Sequence, residues 1–177
     1  MLNRTTLYLP CQLNICHNNS LYGIQVNYPS NWKIEQKDFR GGDFVTNIVE
    51  FRPPFDSKSN LKTPIGRQLI SFGIYHFAQP LSLDFAANEF VAALRADHDD
   101  YKTVSTKTRG PKFDGKPAME IVYEHEDNNQ LFKRIFLGFL NGSDIYYASY
   151  RMKEKNFDKF LPVFDSMVES YNFTTGK

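Results

Sequence analysis

Along most of this chain, apolar and polar residues alternate with the two-residue period of half-buried strands. Ile24, Val26 and Tyr28 alternate with Gln25 and Asn27, and Pro29, with no amide hydrogen to donate, closes the run. Trp32 and Ile34 open a second short strand, and residues 45–51 form a third. Ile70, Phe72 and Ile74 share one face of a strongly apolar fourth over residues 69–77, closed by Pro80. Between the third and the fourth, Pro53-Pro54 leads into a polar stretch to Gly66 with nothing to bury, the composition of a surface loop.

In two places the period becomes helical. Leu83, Ala86, Ala87, Phe90 and Leu94 recur at helical spacing, with Ser82 placed to cap and Asp84 in the first turn, where the helix dipole favours an acid. Phe157, Phe160, Leu161, Phe164, Val168 and Tyr171 form a second stripe, interrupted by Pro162. An interior proline costs about 3 kcal/mol, so the regular helix is expected to begin just before Pro162 or to carry a kinked first turn. Between the helices, residues 101–108 are β in composition, and residues 107–117, with two glycines and two prolines, read as a turn. Residues 118–125 and 131–140 are strands joined through Asp127-Asn128-Asn129, and Asn141-Gly142, a strong hairpin signal between apolar runs, leads into a third over 145–151. Residues 1–20 have no steady period and are expected to form an N-terminal arm or linker, leaving 21–177 as a single domain.

The 16 Phe and 10 Tyr residues favour a sheet-rich core, because rings pack well on a pleated surface. Lys and Arg number 21 against 20 for Asp and Glu, so net charge gives no global attraction to nucleic acid or to an anionic membrane. No apolar run approaches the roughly 18 residues of a membrane helix. Cys11 and Cys16, four residues apart, fit no Cys-x-x-Cys motif. They leave open a local disulfide, a pair of inert thiols or, with His17, part of a metal or redox site.

Tyr22-Gly23, Tyr28-Pro29 and Trp32, then Gly115-Lys116-Pro117-Ala118, then Tyr146-Tyr147, and finally Phe160-Leu161-Pro162, Met167, Ser170-Tyr171 and Phe173, follow one another in an order and spacing that resembles the PsbP-like family, particularly its archaeal and bacterial members outside photosynthesis. The resemblance covers nearly all of the chain from about Leu21 to Phe173. It implies an α+β fold, an α-β-α sandwich with a central antiparallel sheet of about six strands flanked by helices, shared with the PsbP subunit of the oxygen-evolving complex and with a Ran-binding nuclear-import factor. It implies an extrinsic accessory protein that works through protein contacts, with a membrane complex as partner and an extracytoplasmic or membrane-peripheral location. The alternatives are an intracellular regulatory adaptor of the Ran-binding type and a protein that binds calcium, another divalent cation or a small ligand. Fold analogy alone does not assign function.

Two clusters carry the candidate chemistry. Asp97, His98, Asp99 and Asp100 place three carboxylates and an imidazole just past the first helix, where hard cations find oxygen ligands and a cation would offset acids opposed to the helix dipole. Their spacing is not that of an EF-hand, and neighbouring side chains diverge. Lys107, Arg109, Lys112 and Lys116 make a basic turn suited to an acidic protein partner; without interleaved aromatics it carries no nucleic-acid motif. Glu124, His125, Glu126 and Asp127 form a further acidic run in which the strand period sends His125 away from Glu124 and Glu126. There is no Gly-x-Ser-x-Gly elbow, no phosphate-cradling glycine loop and no His-Glu-x-x-His, and the reading is of a binding protein rather than an enzyme.

Overall fold

The alternating runs become strands paired in long antiparallel ladders. The computed structural model describes residues 13–19, 23–36, 45–54, 68–97, 101–108, 112–127 and 129–173. In chain order the described elements are β1 (Leu13–Asn19), β2 (Ile24–Pro29), β3 (Lys33–Gln36), β4 (Val45–Arg52), β5 (Leu69–His76), α1 (Leu83–Asp97), β6 (Lys102–Lys107), β7 (Lys112–Phe113), β8 (Lys116–Asp127), β9 (Gln130–Asn141), β10 (Asp144–Lys153), α2 (Glu154–Ser170) and β11 (Asn172–Phe173). The main sheet runs β3-β4-β5-β10-β9-β8-β6, with β7 paired to the start of β8, and a smaller sheet runs β1-β2-β11. Counting β7, the main sheet has eight strands, wider than the expected six or so.

Successive side chains on a strand point to opposite faces, so each face of the main sheet builds its own core. On one face, Ile70, Phe72 and Ile74 of β5, Ile135, Leu137 and Phe139 of β9, and Tyr146, Ala148, Tyr150 and Met152 of β10 meet Phe157, Phe164 and Met167 of α2. Ile24, Val26 and Tyr28 of the small sheet join them. On the other face, Met119, Ile121 and Tyr123 of β8, Phe136 of β9, and Ile145 and Tyr147 of β10 meet Ala86 and Ala87 of α1. The result is the α-β-α sandwich the resemblance implies. Trp32 is buried against Phe160, at 6.1 Å between rings, and so belongs to the core under α2.

Several local expectations hold for their stated physical reasons. Ser82 Oγ accepts from the Phe85 amide at 3.2 Å, capping α1. Gly142, at φ 67°, takes the left-handed turn after Asn141, and β9 closes onto β10 through the Asn141–Asp144 pair. Three expectations are corrected. Residues 13–19 are not arm or linker but β1, paired antiparallel with β2; the strand is held by that ladder and not by an apolar face of its own. The stretch 107–117 is not one turn: Phe113 pairs with Lys116 across Asp114 (φ 51°) and Gly115 (φ 70°), the doubly left-handed turn that suits a tight hairpin. Helix α2 begins at Glu154, well before Pro162, which is interior. Pro162 and Asp158 are both exposed, so the Asp158 carbonyl deprived of its amide partner faces water, which lowers the cost of the proline.

Candidate functional site

Of the two clusters singled out from the sequence, only some members fall within the described residues. Asp97 is the last residue of α1; its side chain and all of His98, Asp99 and Asp100 lie outside the described residues. Arg109 and the Lys112 side chain also lie outside them. Lys107, at the end of β6, pairs with Glu120 at 3.0 Å. Lys116, at the start of β8, is 3.7 Å from Asp114 and sits over the rings of Phe139 and Phe173, at 4.3 and 4.9 Å from their centroids. Each of these two lysines therefore has its own carboxylate, and Lys116 also covers aromatic surface with its stem.

Next to the basic turn, Thr108 donates to Asp84, tying the end of β6 to the first turn of α1. The two elements so joined carry Phe85 and Val104, whose side chains stand 51% and 48% exposed. Lys102 and Lys107 bracket Val104 on the edge strand, as charges commonly do where a free strand edge must be guarded.

A second polar region was not foreseen. On the α1-side face, beyond the apolar footprint of the helix, the register aligns Tyr123, Arg134 and Arg151 across β8, β9 and β10, with Leu69 of β5 following. One row closer to α1, Glu35, Glu50, Ser71, Ser149 and Phe136 stand in line. Arg52 binds Glu35 and, at 3.1 Å, Glu50; Arg151 lies 3.3 Å from Asp127 and over the Phe132 ring at 4.7 Å. Glu50, Arg52 and Arg151 are all buried. Burial of ions is tolerated only where pairing offsets the lost hydration, and these pairs supply it. His125, 1% exposed, stacks on Phe132 with ring centroids 5.6 Å apart.

The sequence carried one usable signal of this region. A strand buried on both faces reads as a nearly continuous apolar run, and Glu50, Arg52, Arg134 and Arg151 each break such a run. Which of them meet depends on register between distant strands, which local pattern does not show.

Among the described residues, no group of three His, Cys, Asp or Glu side chains converges as a metal site, and no helix is long and apolar enough to cross a membrane. Cys16 carries an exposed free thiol, with Gln25 Nε2 3.1 Å from its sulfur; Cys11 lies outside the described residues. A cleft of about 270 Å³ lies where β9 begins and α2 follows β10, lined by Gln130, Leu131, Lys153, Glu154 and Lys155.

The sandwich, with one helix on each face of a broad antiparallel sheet, is the PsbP-like fold. The chain belongs to the PsbP-like protein family, whose model matches residues 11–173. No curated protein matches the sequence. Among solved structures it is similar to cyanobacterial PsbP, CyanoP, from Synechocystis sp., with a TM-score of 0.60 and 14% identity over 90% of this chain and 92% of that one. It is also similar to LpqN of Mycobacterium tuberculosis, involved in cell envelope biogenesis, with a TM-score of 0.54 and 9% identity over 86% of this chain and 83% of the other. At such identities the two structures establish the fold alone.

Proposed function

We propose that the chain is a non-catalytic accessory protein that docks on a protein partner, a membrane complex, at an extracytoplasmic or membrane-peripheral face. The observation that carries this reading is the exposure of two large apolar side chains, Phe85 on α1 and Val104 on β6, elements tied by the Thr108–Asp84 bond, with the basic stretch following Val104 in sequence. Lys107, Arg109, Lys112 and Lys116 against the single Asp114 give residues 107–117 a positive balance suited to an acidic partner, which would compete with Glu120 and Asp114 for Lys107 and Lys116. Membership of the PsbP-like family supports an accessory role, and the involvement of LpqN in cell envelope biogenesis supports the location. Retention of the purified protein on membranes from its own source, with the partner captured by cross-linking, tests the reading. Wild type is expected to be retained and Phe85→Glu with Val104→Glu to wash off; a wild-type protein that washes off and cross-links to no membrane component sinks it.

A further inference from the structure

Arg134 differs from the other arginines of the α1-side face. Arg52 and Arg151 each hold a carboxylate, whereas Arg134 has none among the described residues. Its Nη1 donates to Tyr123 Oη and its Nη2 to His125 Nε2, both at 3.3 Å, and both acceptors are neutral. Since a guanidinium only donates, the His125 contact fixes that imidazole with its Nε2 unprotonated. The Arg134 Nε hydrogen is buried and meets no acceptor, a feature it shares with Arg52 and Arg151, so the missing carboxylate is what sets Arg134 apart. Arg151 stands directly opposite in the ladder, so the nearest charge across the strand pair is of like sign. Glu120, Glu124 and Glu126 of β8 occupy the alternate positions and project from the other face, while Asp127, on the same face as Arg134, is engaged by Arg151. A partly buried guanidinium surrounded by neutral acceptors and a second cation lacks the one partner that would offset its desolvation, an anion.

We propose that Arg134, with Tyr123 beside it and Arg151 opposite, binds an oxyanion, the carboxylate or phosphate group of a small ligand. Beyond the hydrogens given to Tyr123 and His125, each Arg134 Nη keeps one for the oxygens of such a group, the planar, two-donor recognition in which arginine exceeds lysine. Tyr123, which already accepts from Arg134, has its own O–H left to donate to the anion. Arg151 is held in place by Asp127 and by Phe132 beneath it and adds positive potential without surrendering its partner. This site is separate from the Phe85–Val104 surface, and neither reading depends on the other.

The probes are inorganic phosphate and acetate, each compared with sodium chloride at equal ionic strength, read by thermal melting and by titration calorimetry. Binding is expected to raise Tm by about 5–10 °C when the anion is at 100 times its Kd. A response to phosphate alone or to acetate alone identifies the group the site takes. Arg134→Gln is expected to abolish the response, Arg134→Lys to leave a weak one, and Tyr123→Phe to weaken binding about fivefold. Should Arg134→Gln fold poorly, Tyr123→Phe and Arg134→Lys carry the test, because each retains most of the packing. The proposal is overturned if neither anion acts differently from chloride, or if the folded Arg134 variants respond as wild type does. Membrane retention of Arg134→Gln at the wild-type level is expected, which separates a failure here from a failure of the docking reading.

Discussion

The two faces of the main sheet are built from the same strands, yet they differ in kind. The α2-side face is apolar where α2 and the small sheet cover it: Phe72, Phe139, Tyr146 and Tyr171 stack or tilt against one another there, and only toward the β8 edge do Glu120, Glu124 and Glu126 stand on that side. Even its hydroxyls are turned to internal use, since Tyr150 donates to the Phe157 carbonyl at the start of α2 and burial pushes that phenol well up from its usual range. The α1-side face is apolar only beneath α1 and becomes ionic beyond it. One face thus carries stability, while the other divides into a packed half and a half where charges are kept at a cost. Costly buried charge that packing does not require is where function is best sought.

The largest expected effect tests the first half of that contrast. Phe139 is fully buried and touches Phe113, Tyr146, Tyr171 and Phe173, so Phe139→Ala is expected to cost about 3–5 kcal/mol in urea denaturation. A loss below about 1 kcal/mol would mean that the α2-side face is not the main core. The ionic half makes a different demand. Arg52→Met removes the guanidinium that Glu35 and the buried Glu50 share and is expected to cost about 3 kcal/mol, whereas Arg52→Met combined with Glu50→Leu regains much of it, because the expense lies in a buried carboxylate that has lost its cation rather than in the absent pair. If single and double variants are equally unstable, these charges are holding the sheet together and the contrast between the faces collapses.

Under α1 the packed half is tight enough to exclude a methyl group. A Cβ on Gly138 would stand 2.8 Å from Ile145 Cγ2 and 3.2 Å from Phe136 Cε1. Gly138→Ala is therefore expected to cost about 1–3 kcal/mol, and Ile145→Ala in the same chain to relieve part of it, as measured by the shift in denaturation midpoint. No relief from the second change would show that the strain lies in the backbone of β9 and not in the side chains over it.

How much of this was legible in the sequence follows from the range over which each feature is decided. Ile24-Val26-Tyr28 and Ile70-Phe72-Ile74 announce strands because alternation is local, and Ser82 and Asn141-Gly142 announce a cap and a turn for the same reason. The start of α2 was missed because its apolar stripe begins only at Phe157 and Pro162 looked like a boundary, whereas exposure of the Asp158 carbonyl lets the helix pass through it. β1 was missed because Leu13–Asn19 has little pattern of its own and is defined by pairing with β2. The ionic rows were invisible for a stronger reason. Glu35 and Glu50 come from β3 and β4, Arg134 and Arg151 from β9 and β10, two strand pairs far apart in the chain, and only the ladder register through β5 brings their rows side by side.

The smallest effect concerns the margin of the apolar face, where β1 lies over the main sheet. His17 meets the edge of Phe51, with ring centroids 6.0 Å apart, and its Nε2 is buried without a partner. Burial holds its pKa below the usual 6.5, since the imidazolium would lose hydration with nothing to replace it. With the folded-state value depressed, the unfolded chain binds the proton more readily below 6.5. The His17 contribution is therefore complete above pH 6.5 and is lost as the pH falls through the lower, folded-state value. Wild type is expected to lose stability over that window more steeply than His17→Phe, which fills the same place against Phe51 and cannot titrate; identical acid limbs in denaturant melts from pH 7 to pH 5 would show that β1 adds no ionisable seam to the apolar core on that side.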